Sequence, residues 1–245
     1  MLCKLLSLFA IAGLSLAAPG CSPSSSSSSV TSSSASSTTT SRSSGNSASS
    51  GNGDVTVTIK NSCSSKLHVY KLANGVDTDQ ETTDIVAGSS HDFKVDSQWA
   101  GRFWACKDGQ RDCAKSGCVS LAEFLFNGFG GSDFYDISFV DGFNLPLDIS
   151  PHGGSGKCGS PSCSKLPSCP KELQTKSGEC RSACAAFGTP EYCCTGAYNS
   201  PAKCKASKFA DGFKKACKDA YSYAYDDATS TFGCRTNKYT VTFCP

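Results

Sequence analysis

The stretch SLAEFLFNGFGGSDFYDISFVDGFNLPLDISP, Ser120 to Pro151, decides how the rest of the chain is read. Ser120–Leu125 and Phe134–Phe139 are short apolar runs rich in aromatic side chains, and Gly, Asn, Asp and Ser mark the turns between them. This is a strand, a turn and a second strand, with acids at Glu123, Asp136 and Asp141. Upstream, VTVTIKN alternates Val55, Val57 and Ile59 with Thr56, Thr58 and Lys60, the period of a half-buried strand. KLHVYKL repeats the pattern with Leu67, Val69 and Leu72. His91–Val95, Gly101–Ala105 and Tyr239–Phe243 are further strand candidates. Many short strands without intervening helical patterns mean a mainly β chain, a sandwich or barrel. The stretch from about 157 to 217 differs: only Glu179–Ala186 and Ser207–Cys217 read as helical there. Its apolar content is too low for a core of its own, so it reads as a loop-rich lobe held by disulfides.

The N-terminal segment 1–18 has Lys4, an apolar run from Leu5 to Leu16 and small residues at Ala17 and Ala18, the pattern of a secretory signal peptide. That run is too short to span a bilayer, so an exported chain without membrane insertion is expected. Residues 19–53 are almost all Ser, Thr, Gly, Ala and Asn, which cannot bury enough apolar area to order themselves, so a disordered linker is expected there. The folded domain is expected over 54–245. Lys and Arg number 23 and Asp and Glu 21, a net charge of +2 with no basic cluster, which argues against a nucleic-acid partner. Seventeen cysteines in an exported chain read as a disulfide framework, with fifteen of them between Cys63 and Cys244. No CxxC spacing occurs and His68, His91 and His152 lie beside no cysteine pair, so neither a metal nor a cofactor is expected. A monomer, secreted to the extracellular space or cell wall, is the expectation.

Beyond this reading, Ser120–Pro151 resembles the signature region of the thaumatin-like protein family, in its fungal-type, pathogenesis-related 5 or osmotin-like form. KCGSPSC from Lys157, EYCC from Glu191, CKDAYSYAYDDATSTFGC from Cys217 and the terminal YTVTFCP are similar to that family's second half, and VTVTIKNSCSSKLHVY and GRFWA to its first strands. The resemblance covers Asp54–Pro245. It implies an antiparallel β-sandwich with a disulfide-rich loop and helix lobe. It also implies the pairings Cys63–Cys244, Cys106–Cys113, Cys158–Cys234, Cys163–Cys217, Cys169–Cys180, Cys184–Cys193 and Cys194–Cys204. Cys118 is left without the family's partner: it pairs with Cys21, is buried and free, or links two chains.

By the same resemblance, Glu123, Asp136, Asp141 and Asp226 line an acidic cleft. Paired carboxyl groups suit glycoside hydrolysis because one must be protonated to donate to the leaving oxygen while the other stays ionised. The resemblance gives Glu123 the acid role and Asp141 that of base or nucleophile, with Asp136 and Asp226 tuning charge and binding sugar hydroxyls. The family's cleft arginine matches a position near Ser97 or Gln98, so Arg102 is its only nearby substitute. Among the aromatic residues interleaving the acids, Phe134 and Phe143 are candidates to stack on sugar rings, although aromatics in alternating strands usually pack inward. The implied function is binding of β-1,3-glucan of cell walls, with slow hydrolysis as an endo-acting glycoside hydrolase. A non-catalytic glucan-binding module, or an antifungal, defence-type interaction protein, is the alternative.

Overall fold

The computed structural model describes residues 53–76, 80–111 and 113–245; the expectations for segment 1–18 and for 19–52, Cys21 included, lie outside the described residues. In chain order the strands β1 (Val55–Asn61), β2 (Leu67–Ala73), β3 (Glu81–Ile85), β4 (Ser90–Val95), β5 (Ala100–Lys107), β6 (Leu121–Leu125), β7 (Asp133–Ser138), β8 (Leu147–Pro151) and β9 (Ser162–Cys163) come first. The helices α1 (Ala183–Phe187), α2 (Pro190–Cys193) and α3 (Lys208–Ala216) follow, and β10 (Ala220–Tyr221), α4 (Asp227–Ser230), β11 (Phe232–Cys234) and β12 (Lys238–Phe243) close the chain. They build two sheets, β4-β1-β12-β8-β9 and β10-β7-β6-β5-β2-β3, with β11 also paired to β7.

The alternation seen in the sequence determines which side of each strand faces inward. Val55, Val57 and Ile59 of β1 and Tyr239, Val241 and Phe243 of β12 are buried, as are Phe103 and Ala105 of β5, Ala122 and Phe124 of β6, and Tyr135 and Ile137 of β7. Aromatic rings carry the contact between layers: Phe93 lies 5.2 Å from Phe103 and Phe124 lies 5.4 Å from Tyr239, both in angled geometries that ring quadrupoles favour. Tyr239 keeps its hydroxyl satisfied by donating to Asp133 Oδ2 at 2.7 Å.

The mainly β sandwich with its disulfide lobe is the one expected, and both of its sheets are mixed, antiparallel except in two places. β1 runs parallel to β12, Thr56 opposite Lys238 through Asn61 opposite Phe243, and β10 runs parallel to β7. The first and last strands thus lie side by side with the same direction, and the Cys63–Cys244 bond joins their ends. Six more disulfides join Cys106–Cys113, Cys158–Cys234, Cys163–Cys217, Cys169–Cys180, Cys184–Cys193 and Cys194–Cys204. Cys118 is a free thiol, 1% exposed, that donates to the carbonyl of Ser116.

Five strands were not legible locally. β3 is a polar edge strand, Glu81-Thr82-Thr83-Asp84-Ile85, whose charges suit an edge, β8 follows Pro146 in a stretch rich in turn residues, and β9, β10 and β11 are only two or three residues long. The helix expected over Glu179–Ala186 begins only at Ala183, capped by Ser182 accepting from the amide of Ala185. Glu179 is diverted into a turn, where its carboxylate accepts from Thr175, Ser177 and Gln110. The second helix matches closely: α3 starts after Ser207, which caps the amide of Ala210. Asn61, in the weak glycosylation sequence Asn61-Ser62-Cys63, is buried in the fold, its amide donating to the carbonyls of Ser65 and Ile85. No helix among the described residues is long and apolar enough to cross a membrane.

Candidate functional site

Because Phe103, Ala122, Phe124, Tyr135 and Ile137 face the core, their neighbours Arg102, Glu123 and Asp136 point out of the other face of the second sheet. Register then aligns them. Arg102 stands opposite Glu123 across β5 and β6, and Glu123 opposite Asp136 across β6 and β7, a row of three charged positions running across the sheet. Directly opposed side chains are close enough to interact strongly. The site therefore keeps a cation: Arg102, a substitute in the sequence reading, is the guanidinium beside the acids.

Asp141 reaches this row from the turn after β7. Gly142 makes that turn possible, since its φ is +78° and a Cβ there would lie 2.2 Å from the carbonyl oxygen of Cys180. Ser138, on the same outer face as Glu123, is near enough for its hydroxyl to favour the ionised Glu123 carboxyl. Burial pushes the Glu123 carboxyl up, the Arg102 charge pulls it down, and the Asp141 charge pushes it up again, leaving it at about 7. A carboxyl so placed is a proton donor near neutral pH.

Asp136 departs from its expected role. It is 0% exposed and neither of its carboxyl oxygens has a hydrogen-bond partner, so it has no face to offer a sugar hydroxyl. Burial first, then the Glu123 and Asp227 charges, hold it well above the ordinary carboxylate range. It stands beside Glu123, whose charge helps to hold it in the protonated form.

Asp226 departs as well. Its Oδ2 accepts from the amide and hydroxyl of Ser222 at 3.0 and 2.9 Å and pairs with Lys214 Nζ at 3.2 Å, so its charge is neutralised within its own loop and by α3. The late aspartate that acts on Asp136 is its neighbour Asp227, whose Oδ1 accepts from the Tyr221 hydroxyl at 2.8 Å. The doubled acid in Tyr225-Asp226-Asp227 was the available signal, and nothing local says which of the two faces the cluster.

Phe143 is corrected to core: it is 3% exposed, 5.0 Å edge-on from Phe213 of α3 and 5.2 Å from Phe139. Phe134 is partly buried on the outer face, two positions before Asp136 on β7. Phe129, in the turn before β7, is 79% exposed.

Comparison with known proteins fits this architecture. The family model described as "Thaumatin family" matches residues 61–245. Thaumatin-like protein 1 of Arabidopsis thaliana is 42% identical over 229 residues, covering 80% of this chain and 88% of that protein. A Prunus avium protein named glucan endo-1,3-beta-glucosidase is 39% identical over 221 residues, covering 78% of this chain and 90% of its own. A crystal structure of a β-1,3-glucanase domain from Clostridium beijerinckii superposes with a TM-score of 0.52 at 10% identity, covering 79% of this chain and 98% of that one, a likeness of fold alone. With the sandwich, the disulfide lobe and a family match over three quarters of its length, the chain belongs to the thaumatin family.

Proposed function

We propose that this protein is exported, binds β-1,3-glucan in a cleft over the outer face of the second sheet, and slowly hydrolyses it. Glu123 gives its proton to the departing glycosidic oxygen, and Asp141 serves as base toward water or as nucleophile. The observation that carries the reading is a carboxyl raised to about 7 beside a second acid, with Arg102 on its other side. A buried carboxyl raised toward neutral pH is the form a general acid takes in such sites. The name of the Prunus avium relative supports the substrate class, and seven disulfides fit an oxidising, exported setting.

The test is reducing-sugar release from a linear β-1,3-glucan near pH 5, wild type beside Glu123→Gln. Loss of a general acid lowers the rate by about 10²–10⁴-fold. Equal release by both proteins removes Glu123 from the chemistry. A specific observation favours binding without cutting as the second reading: Asp136 is buried and Asp226 is already paired with Lys214, which leaves few open acids. That version gives co-sedimentation with insoluble glucan and no product.

A further inference from the structure

Beside the acid row the disulfide lobe contains a groove of about 220 Å³, smaller than the roughly 300–1,000 Å³ usual for whole-ligand sites and of a size for a short subsite. Tyr192 of α2 and Phe209 of α3 line it, their rings 6.0 Å apart, and Tyr198 and Tyr223 complete an aromatic wall. Tyr198 is 37% exposed. A rigid wall of tyrosines beside open solvent presents apolar ring faces with hydroxyl tips, which match the C–H faces and hydroxyl edges of pyranose rings.

The groove is joined to the acids at two points of the chain. Val140 lines it and directly precedes Asp141. Ser222 also lines it and donates both its amide and its hydroxyl to Asp226. Tyr223, next in the wall, is close enough to Asp226 and Asp227 for their charges to act on its hydroxyl. Two separate segments thus run from the groove to the acidic loops, and the first of them carries Asp141 itself.

We propose that this groove is an extension subsite holding further sugar units of the same glucan chain that the acid row engages, with Tyr198 and Tyr223 as its stacking residues. The inference rests on the glucan reading above and adds a length requirement to it: affinity grows with the oligosaccharide until the groove is filled. The measurement is calorimetric titration of the full chain with linear β-1,3-linked trisaccharide and hexasaccharide, wild type beside Tyr198→Ala. The hexasaccharide binds at least about fivefold more tightly than the trisaccharide, and Tyr198→Ala erases about that much of its affinity, the effect of one stacked aromatic. In nuclear magnetic resonance titrations of the wild type, the hexasaccharide shifts the Tyr198 and Tyr223 amides and the trisaccharide shifts them less, a readout independent of how the variant folds. Equal affinity for both lengths, or an unchanged hexasaccharide affinity in Tyr198→Ala, overturns the subsite. Where hydrolysis is lost in Glu123→Gln yet length has no effect, the acid row stands and the groove alone falls; if neither oligosaccharide binds the wild type, both readings fall.

Discussion

Glu123→Gln stabilises the protein above neutral pH, and the size of the gain follows from its surroundings. The folded-state carboxyl lies at about 7 against an ordinary value of 4.5. At about 1.4 kcal/mol for each factor of ten, that difference corresponds to about 3 kcal/mol. Since the folded value is the higher one, Glu123 favours folding fully only below its unfolded value, near pH 4. The contribution is lost as pH rises through about 7, where a partly buried charge beside Asp136 and Asp141 must form. Glutamine has nearly the same shape and never ionises. Guanidinium unfolding with the disulfides intact, at pH 4, 6, 7 and 8, gives the stability difference between wild type and variant by linear extrapolation. Relative to the variant, the wild type loses about 3 kcal/mol between pH 4 and 8, with the midpoint of the loss between its unfolded and folded values. The Glu123 charge also raises Asp136, so its removal adds to the variant's advantage at high pH. A difference independent of pH, or a wild type that is the more stable at pH 8, refutes the placement of this carboxyl among other acids.

Other expectations follow from the same geometry. Removing the Arg102 cation in Arg102→Met raises the Glu123 carboxyl further, so the alkaline limb of glucan hydrolysis moves up by at most about 2.4 pH units, for an opposed charge at roughly 5 Å and an effective dielectric near 20. A limb that stays in place or moves down contradicts the ladder. The Cys63–Cys244 bond spans 181 residues, and replacing both cysteines by serine costs at most about 5 kcal/mol in the chain-entropy account, or about 10 °C in melting temperature. A calorimetric change below about 2 °C counts against that account. Burial pushes the Cys118 thiol up to about 11, so iodoacetamide at pH 8 labels it only after unfolding, read by mass spectrometry. Rapid labelling of the folded protein shows instead that this thiol is reachable.

Much of the fold was legible because strand periodicity is a local property. Val55, Val57 and Ile59 alternate within seven residues, and whatever sheet accepts that strand must bury that side of it. By the same rule, Glu123 and Asp136 had to lie on the faces opposite their buried neighbours Phe124 and Tyr135. Local periodicity is silent on which strands become neighbours. The parallel pairing of β1 with β12 joins segments at opposite ends of the domain, and it depends on the packing of the whole sandwich.

The same division runs through the site. Local pattern was enough for a β chain with acids in strand and turn positions and a cysteine-rich lobe lacking a core of its own. Tertiary structure alone decided that Arg102, Glu123 and Asp136 form one row, through register between separate strands. It also decided that Asp136 is sealed from solvent, that Lys214 of α3 captures Asp226, and that Phe213 covers Phe143. Burial and charge environment are set by residues far along the chain, and a carboxyl group's chemistry depends on them more than on its immediate neighbours in sequence.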